Sequence, residues 1–135
     1  MLRSLFVALL ATAVLGATER RFTVGIPASA RSPAHTQIVL EEVQLPAGEP
    51  VRLIVVADSD SVALAEAAIP GISSARSGTQ QLPRLRLPLS RAGKAQIESR
   101  RDSLTIWIRA LDAHRKPLAT SRWAVKRVRI EGPPR

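Results

Sequence analysis

Apolar residues along this chain fall into short runs split by turn residues, with little of the spacing that marks an amphipathic helix. Phe22–Ile26 is the first such run past residue 18, closed by Pro27. Residues 27–35, rich in Pro, Ala and Ser, read as a loop, and Gln37–Leu45 as a long strand. Pro46-Ala-Gly-Glu-Pro50 is a turn signal. Val51–Val56 has Val51, Leu53 and Val55 on one face and Ile54 and Val56 on the other, the pattern of a central strand. Asp58-Ser-Asp-Ser61 is a polar turn. Val62–Ile69 is ambiguous, because its alanines favour helix while turn residues bound it on both sides. Residues 70–82 read as a polar loop.

The second half alternates more clearly. Leu85, Leu87 and Leu89 take one parity and Arg84, Arg86 and Pro88 the other, and Pro88 cannot donate to a ladder, which predicts an edge strand. Ser90 is placed to N-cap a helical turn through about Glu98, with Gly93 weakening it. In Leu104–Leu111, Leu104, Ile106, Ile108 and Ala110 share a face and Trp107 takes the other. Asp112–Pro117 turns the chain. In Arg122–Ile130 the apolar positions change phase: Trp123 and Val125 share one parity, Val128 and Ile130 the other. One extra residue near Lys126–Arg127 would bring all four to one side, so a β-bulge is predicted there. The expectation is an all-β domain over residues 18–135: a single β-sandwich of about seven strands between residues 21 and 131, with one short helical turn.

The first 17 residues stand apart. Arg3, the apolar run Leu5–Leu15 and the small residues Gly16 and Ala17 have the layout of a secretory signal peptide over residues 1–17. The run falls short of the roughly 20 apolar residues of a membrane span, so none is expected after cleavage. The expected location is periplasmic or secreted.

Composition narrows the chemistry. The 135 residues include no Cys, one Met and two His, so thiolate zinc, iron–sulfur, blue-copper and three-histidine metal sites cannot be built from this chain. Nothing implies a cofactor, and no catalytic set is visible. His35 and His114, with Asp112 as a third ligand, are weighed as a metal site, and Asp58-Ser-Asp-Ser61 as a calcium turn; solvated loops explain both. Gly71-Ile-Ser73-Ser-Ala75 is one residue short of a nucleophile elbow and lacks a helix after it. Trp107 and Trp123 read as core or core margin before ligand-capping groups.

Charge is the remaining lead. Lys and Arg number 20 against 11 acidic residues, a net of +9. Residues 18–82 hold five basic against seven acidic side chains, a net of −2; residues 83–135 hold fourteen against four, a net of +10. Such a field attracts polyanions. For an exported chain these are an acidic protein or an anionic envelope component; nucleic acid is disfavoured, since only Trp107 and Trp123 lie in the basic half as stacking groups. Arg84, Arg86, Arg127 and Arg129 lie on strands whose alternation aligns them into one stripe, the one binding surface the sequence nominates. The competing explanation is codon drift in a GC-rich bacterial genome, since only three of the 20 basic residues are Lys.

Leu85-Arg-Leu-Pro-Leu89, a helical turn, Asp102-Ser-Leu-Thr-Ile-Trp-Ile108, Leu111-Asp-Ala-His-Arg-Lys-Pro117 and Trp123–Ile130 together resemble the end of the C-terminal β-sandwich domain of bacterial tyrosinase and polyphenol-oxidase-like proteins. Ile38–Val43 followed by Pro46-Ala-Gly-Glu-Pro-Val-Arg-Leu53 is similar to that domain's opening strands, so the likeness covers residues 36–131. It implies a stand-alone relative of that domain, with a separate copper-oxidase chain as partner. In that family the copper-binding histidines lie in a helical domain that this sequence lacks, and the aromatic-rich strand is here Val62–Ile69, without an aromatic. The expected function is therefore a non-catalytic interaction module; the alternative is a copper-dependent phenol oxidase-related or copper-handling protein.

Overall fold

The computed structural model describes residues 17–31, 35–58, 62–71, 78–99 and 102–132. Of the signal peptide expected over residues 1–17, residues 1–16 lie outside the described residues. Among the described residues seven strands form: β1 (Glu19–Gly25), β2 (Gln37–Pro46), β3 (Val51–Ala57), β4 (Ala63–Ile69), β5 (Thr79–Pro88), β6 (Ser103–Leu111) and β7 (Ala124–Glu131). One helix, α1 (Arg91–Ser99), lies between β5 and β6, and a 3-10 turn spans Ala28–Arg31. Two antiparallel sheets result, with strand orders β1-β6-β3-β4 (sheet A) and β5-β2-β7 (sheet B). Every connection except the β3–β4 hairpin crosses from one sheet to the other. This is an all-β sandwich.

The core fills the space between the sheets. Leu53 and Val55 of β3, Leu104, Ile106, Ile108 and Ala110 of β6 and Leu64 of β4 meet Ile38, Leu40, Val43 and Leu45 of β2, Leu87 of β5 and Trp123, Val125 and Ile130 from around β7. β3 lies inside sheet A and β5 at an edge of sheet B, as the sequence pattern predicts. Val62–Ile69 resolves to strand, because pairing with β3 and burial of Leu64, Ala65 and Ile69 outweigh the helix preference of its alanines. Part of the predicted loop 70–82 is strand: β5 begins at Thr79, and Gln80 is buried there with Nε2 donating to the carbonyls of Pro46 and Pro70.

The phase change predicted in β7 is real, but its form differs from a one-strand bulge. Inward residues in β2 are Ile38 and Leu40, then Val43 and Leu45; in β5 they are Leu87 and Leu85, then Leu82 and Gln80. In register with these stand Ile130 and Val128, then Val125. All three strands invert at one level, so pairing runs through without slippage. Glu42 supplies the irregular backbone, with φ of 52°. Two consecutive rows, Arg84–Glu41–Arg127 and Pro83–Glu42–Lys126, therefore both face outward.

α1 starts as its sequence specifies. The Gly93 amide donates to Ser90 Oγ at 2.9 Å, the N-cap bond, and that hydroxyl donates to the Ala63 carbonyl at 2.7 Å. The Ser90 amide donates to the Leu64 carbonyl, which ties the helix start to β4. Gly93 is required rather than merely tolerated: a Cβ there would stand 2.4 Å from the Leu64 carbonyl oxygen. An exposed helical Gly→Ala change gains about 1 kcal/mol. Gly93→Ala should instead lower stability by about 1–3 kcal/mol, because the obstructing atom is backbone. Urea unfolding of the two proteins checks this.

Candidate functional site

Sheet B presents Arg84, Arg86, Arg127 and Arg129 on one outward face, with Arg84 and Arg86 on β5 at one edge and Arg127 and Arg129 on β7 at the other. The predicted stripe is thus two rows, Arg84–Glu41–Arg127 and Arg86–Val39–Arg129. β2 runs between the arginines and carries what one-strand alternation could not reveal. Val39 is fully buried yet outside the interlayer core, flanked by the aliphatic stems of Arg86 and Arg129. Glu41 lies between Arg84 and Arg127 in the next row.

The carboxylates organise the face unevenly. Arg129 Nε donates to Glu41 at 2.7 Å, and its Nη1 donates to Glu131 at 2.6 Å. Arg86 Nη1 donates to the other Glu131 oxygen at 2.6 Å. The chain Arg86–Glu131–Arg129–Glu41 is a connected network, the arrangement in which surface ion pairs contribute most. Arg84 and Arg127 have no carboxylate within ion-pair distance among the described residues, and act on Glu41 through space. Their backbones are two strand spacings apart, about 10 Å. Lys126 pairs with Glu42 at 3.1 Å beside them. Those two residues and Pro83 line a shallow outer groove of about 580 Å³ at the level of the phase change.

The Arg129 guanidinium, by its hydrogen bond, holds the Glu41 carboxyl below the usual carboxylate range. Arg86 does the same for Glu131, and Glu41 raises Arg129 in return. The uneven charge of the sequence is largely interleaved by folding: Arg109 pairs with Glu19, Arg122 with Glu49, Lys126 with Glu42 and Arg129 with Glu41. Each joins the basic half to the acidic half, while among the described residues Arg84 and Arg127 make no direct ion pair and meet Glu41 only through space.

The other nominated residues take structural parts. His35 precedes β2 at one end of the sandwich and His114 follows β6 at the other, so the two are not brought together. Asp112 Oδ1 accepts from the His114 and Lys116 amides, with Arg115 at φ of 62° completing the turn, and the Lys116 bond foremost lowers the Asp112 pKa. Among the described residues no three His, Asp or Glu side chains gather to hold a metal ion. Asp58 accepts from the Trp107 indole and faces Arg21 at 3.9 Å; residues 59–61 of that turn lie outside the described residues. Gly71 packs on the Glu49 backbone, where a Cβ would meet the amide nitrogen at 2.5 Å, and Ser73 and Ala75 lie outside the described residues. Trp123 is core, while Trp107 lies on the outer face of sheet A opposite Val56. No described helix is long and apolar enough to cross a membrane. Neither a comparison with family models nor one with curated proteins finds a match to this chain.

The depressed carboxyls set a pH dependence. A carboxylate whose folded pKa lies below its unfolded value contributes stability above the unfolded pKa, about 4.3 for Glu, and loses it as pH falls through the folded value. The urea midpoint should therefore decline as pH drops below about 4.3. Glu41→Gln with Glu131→Gln should make that decline shallower; an identical slope would show that the network contributes nothing.

Proposed function

We propose that this chain is an exported, non-catalytic interaction module that docks an acidic partner protein on the outer face of sheet B. One observation carries the reading: among the described residues Arg84 and Arg127 have no ion-pair partner on either flank of Glu41, while Arg86 and Arg129 are fixed beside them by Glu131 and Glu41. The fixed pair gives the surface a defined shape. The unpaired pair supplies two guanidinium forks, each suited to bidentate binding of a carboxylate. A partner strand or loop with acidic side chains about 10 Å apart meets both, as two strand spacings require. Resemblance to the β-domain of tyrosinase-like oxidases nominates a separate exported oxidase chain as that partner. The signal-peptide layout of residues 1–17 supports a periplasmic or secreted location.

The test is binding of poly-L-glutamate across a salt series. The parent should bind most tightly at low salt, since screening shortens to about 8 Å at physiological ionic strength. Arg84→Gln with Arg127→Gln should weaken binding by about tenfold at low salt while stability stays within about 0.5 kcal/mol. Extending the change to Arg86 and Arg129, with Gln and Ser replacements, should abolish the salt-sensitive part. Equal binding by all variants at every salt concentration would reduce the arginines to codon drift. Preference for phosphatidylglycerol vesicles over poly-L-glutamate would contradict a protein partner.

A further inference from the structure

A second groove, of about 400 Å³, opens where the chain enters β7, at the end of the sandwich that carries the start of β5. Arg20, Thr79, Thr120, Ser121, Arg122 and Trp123 line it, and among the described residues no Asp or Glu does. Arg20 comes from β1, on the inward parity shared with Phe22 and Val24. Its guanidinium lies 5.1 Å from the centroid of the Trp123 ring. Its Nη2 donates to the carbonyls of Thr120 and Trp123, both at 2.6 Å.

Arg20 differs from the other strand arginines that make close contacts. Arg21, Arg52, Arg86, Arg109 and Arg129 each have a carboxylate within 4 Å, and Arg20 has none among the described residues. Its Nε is buried without an acceptor. A half-buried cation held only by carbonyl dipoles and an indole face carries uncompensated charge, and a nearby anion lowers that cost. Arg122, on the same wall, already takes a carboxylate, that of Glu49 at 2.9 Å.

We propose that this groove is an oxyanion site, separate from the arginine rows of sheet B, which takes a small carboxylate or phosphate between Arg20 and Arg122. Arg20 is oriented in advance by its two carbonyls and the Trp123 ring, so little side-chain freedom is lost on binding. Thr120 and Ser121 bring hydroxyl groups to the groove wall as neutral donors, and the acidic group beside it is Glu49, held on Arg122. Glu49 is then an internal competitor for Arg122.

Amide and indole shifts of the isotope-labelled protein, titrated with inorganic phosphate and separately with acetate against chloride at constant ionic strength, test this. Saturable shifts should concentrate at Thr79, Thr120, Ser121 and the Trp123 indole. Arg122→Gln should weaken binding about tenfold, the scale of one charge-assisted contact, and Glu49→Gln should tighten it. Saturation by phosphate alone identifies a phosphoryl ligand, and by acetate alone a carboxylate. Shifts that do not saturate, that spread equally to the Arg84 and Arg127 face, or that ignore either substitution overturn the proposal.

Discussion

The whole of sheet B depends on one constraint: side chains in a strand alternate, yet its three strands must each bury apolar residues of both parities. With strict alternation, either Ile38, Leu40, Val128 and Ile130 or Val43, Leu45, Trp123 and Val125 would face water. Glu42 in the left-handed region turns β2 over between Leu40 and Val43. Pro83 in β5 and the Lys126–Arg127 pair in β7 stand at the same level, so the partner strands turn with it and the ladders stay in register. Pro83 has no N–H to lose and sits on an edge strand, where proline is tolerated.

The same constraint shapes the surface. Because two consecutive rows face outward, charged residues crowd one level: Arg84, Glu41 and Arg127, then Glu42 and Lys126. Five strand positions carry three cations and two anions, and Arg129 already engages Glu41 from the next row. That is why Arg84 and Arg127 are left without an ion-pair partner among the described residues. The outer groove lies at this level as well. The site and the core are thus two sides of a single backbone irregularity.

Much of the fold was legible in the residues. Alternation placed β6 with its four inward residues, apolar positions on both faces placed β3 inside its sheet, and Ser90 marked the helix start. The start of β5 was not legible, because Gln80 is buried through side-chain bonds to carbonyls of two distant turns. The need for glycine at 93 appears only once α1 is laid on Leu64. For the site, the four arginines could be assigned to one parity of their strands. That Glu41 would lie between two of them depends on cross-strand neighbours, which no single strand encodes. The compensation between the halves of the chain is hidden for the same reason: Glu19 and Arg109, or Glu49 and Arg122, are far apart in sequence and adjacent only after folding.

The central claim is that Glu42 holds a left-handed backbone on which the phase of all three strands depends. Unfolding free energies of Glu42→Gly and Glu42→Val test it most directly. A left-handed conformation costs an ordinary residue about 1 kcal/mol that glycine avoids, and more for a β-branched one. The exposed pair with Lys126 contributes at most a few tenths of a kcal/mol, about the lower range for surface pairs. Glu42→Gly should therefore leave stability unchanged or raise it by up to about 1 kcal/mol, and Glu42→Val should lower it by more than about 1 kcal/mol. Equal destabilisation by both, or a neutral Glu42→Val, would contradict the account.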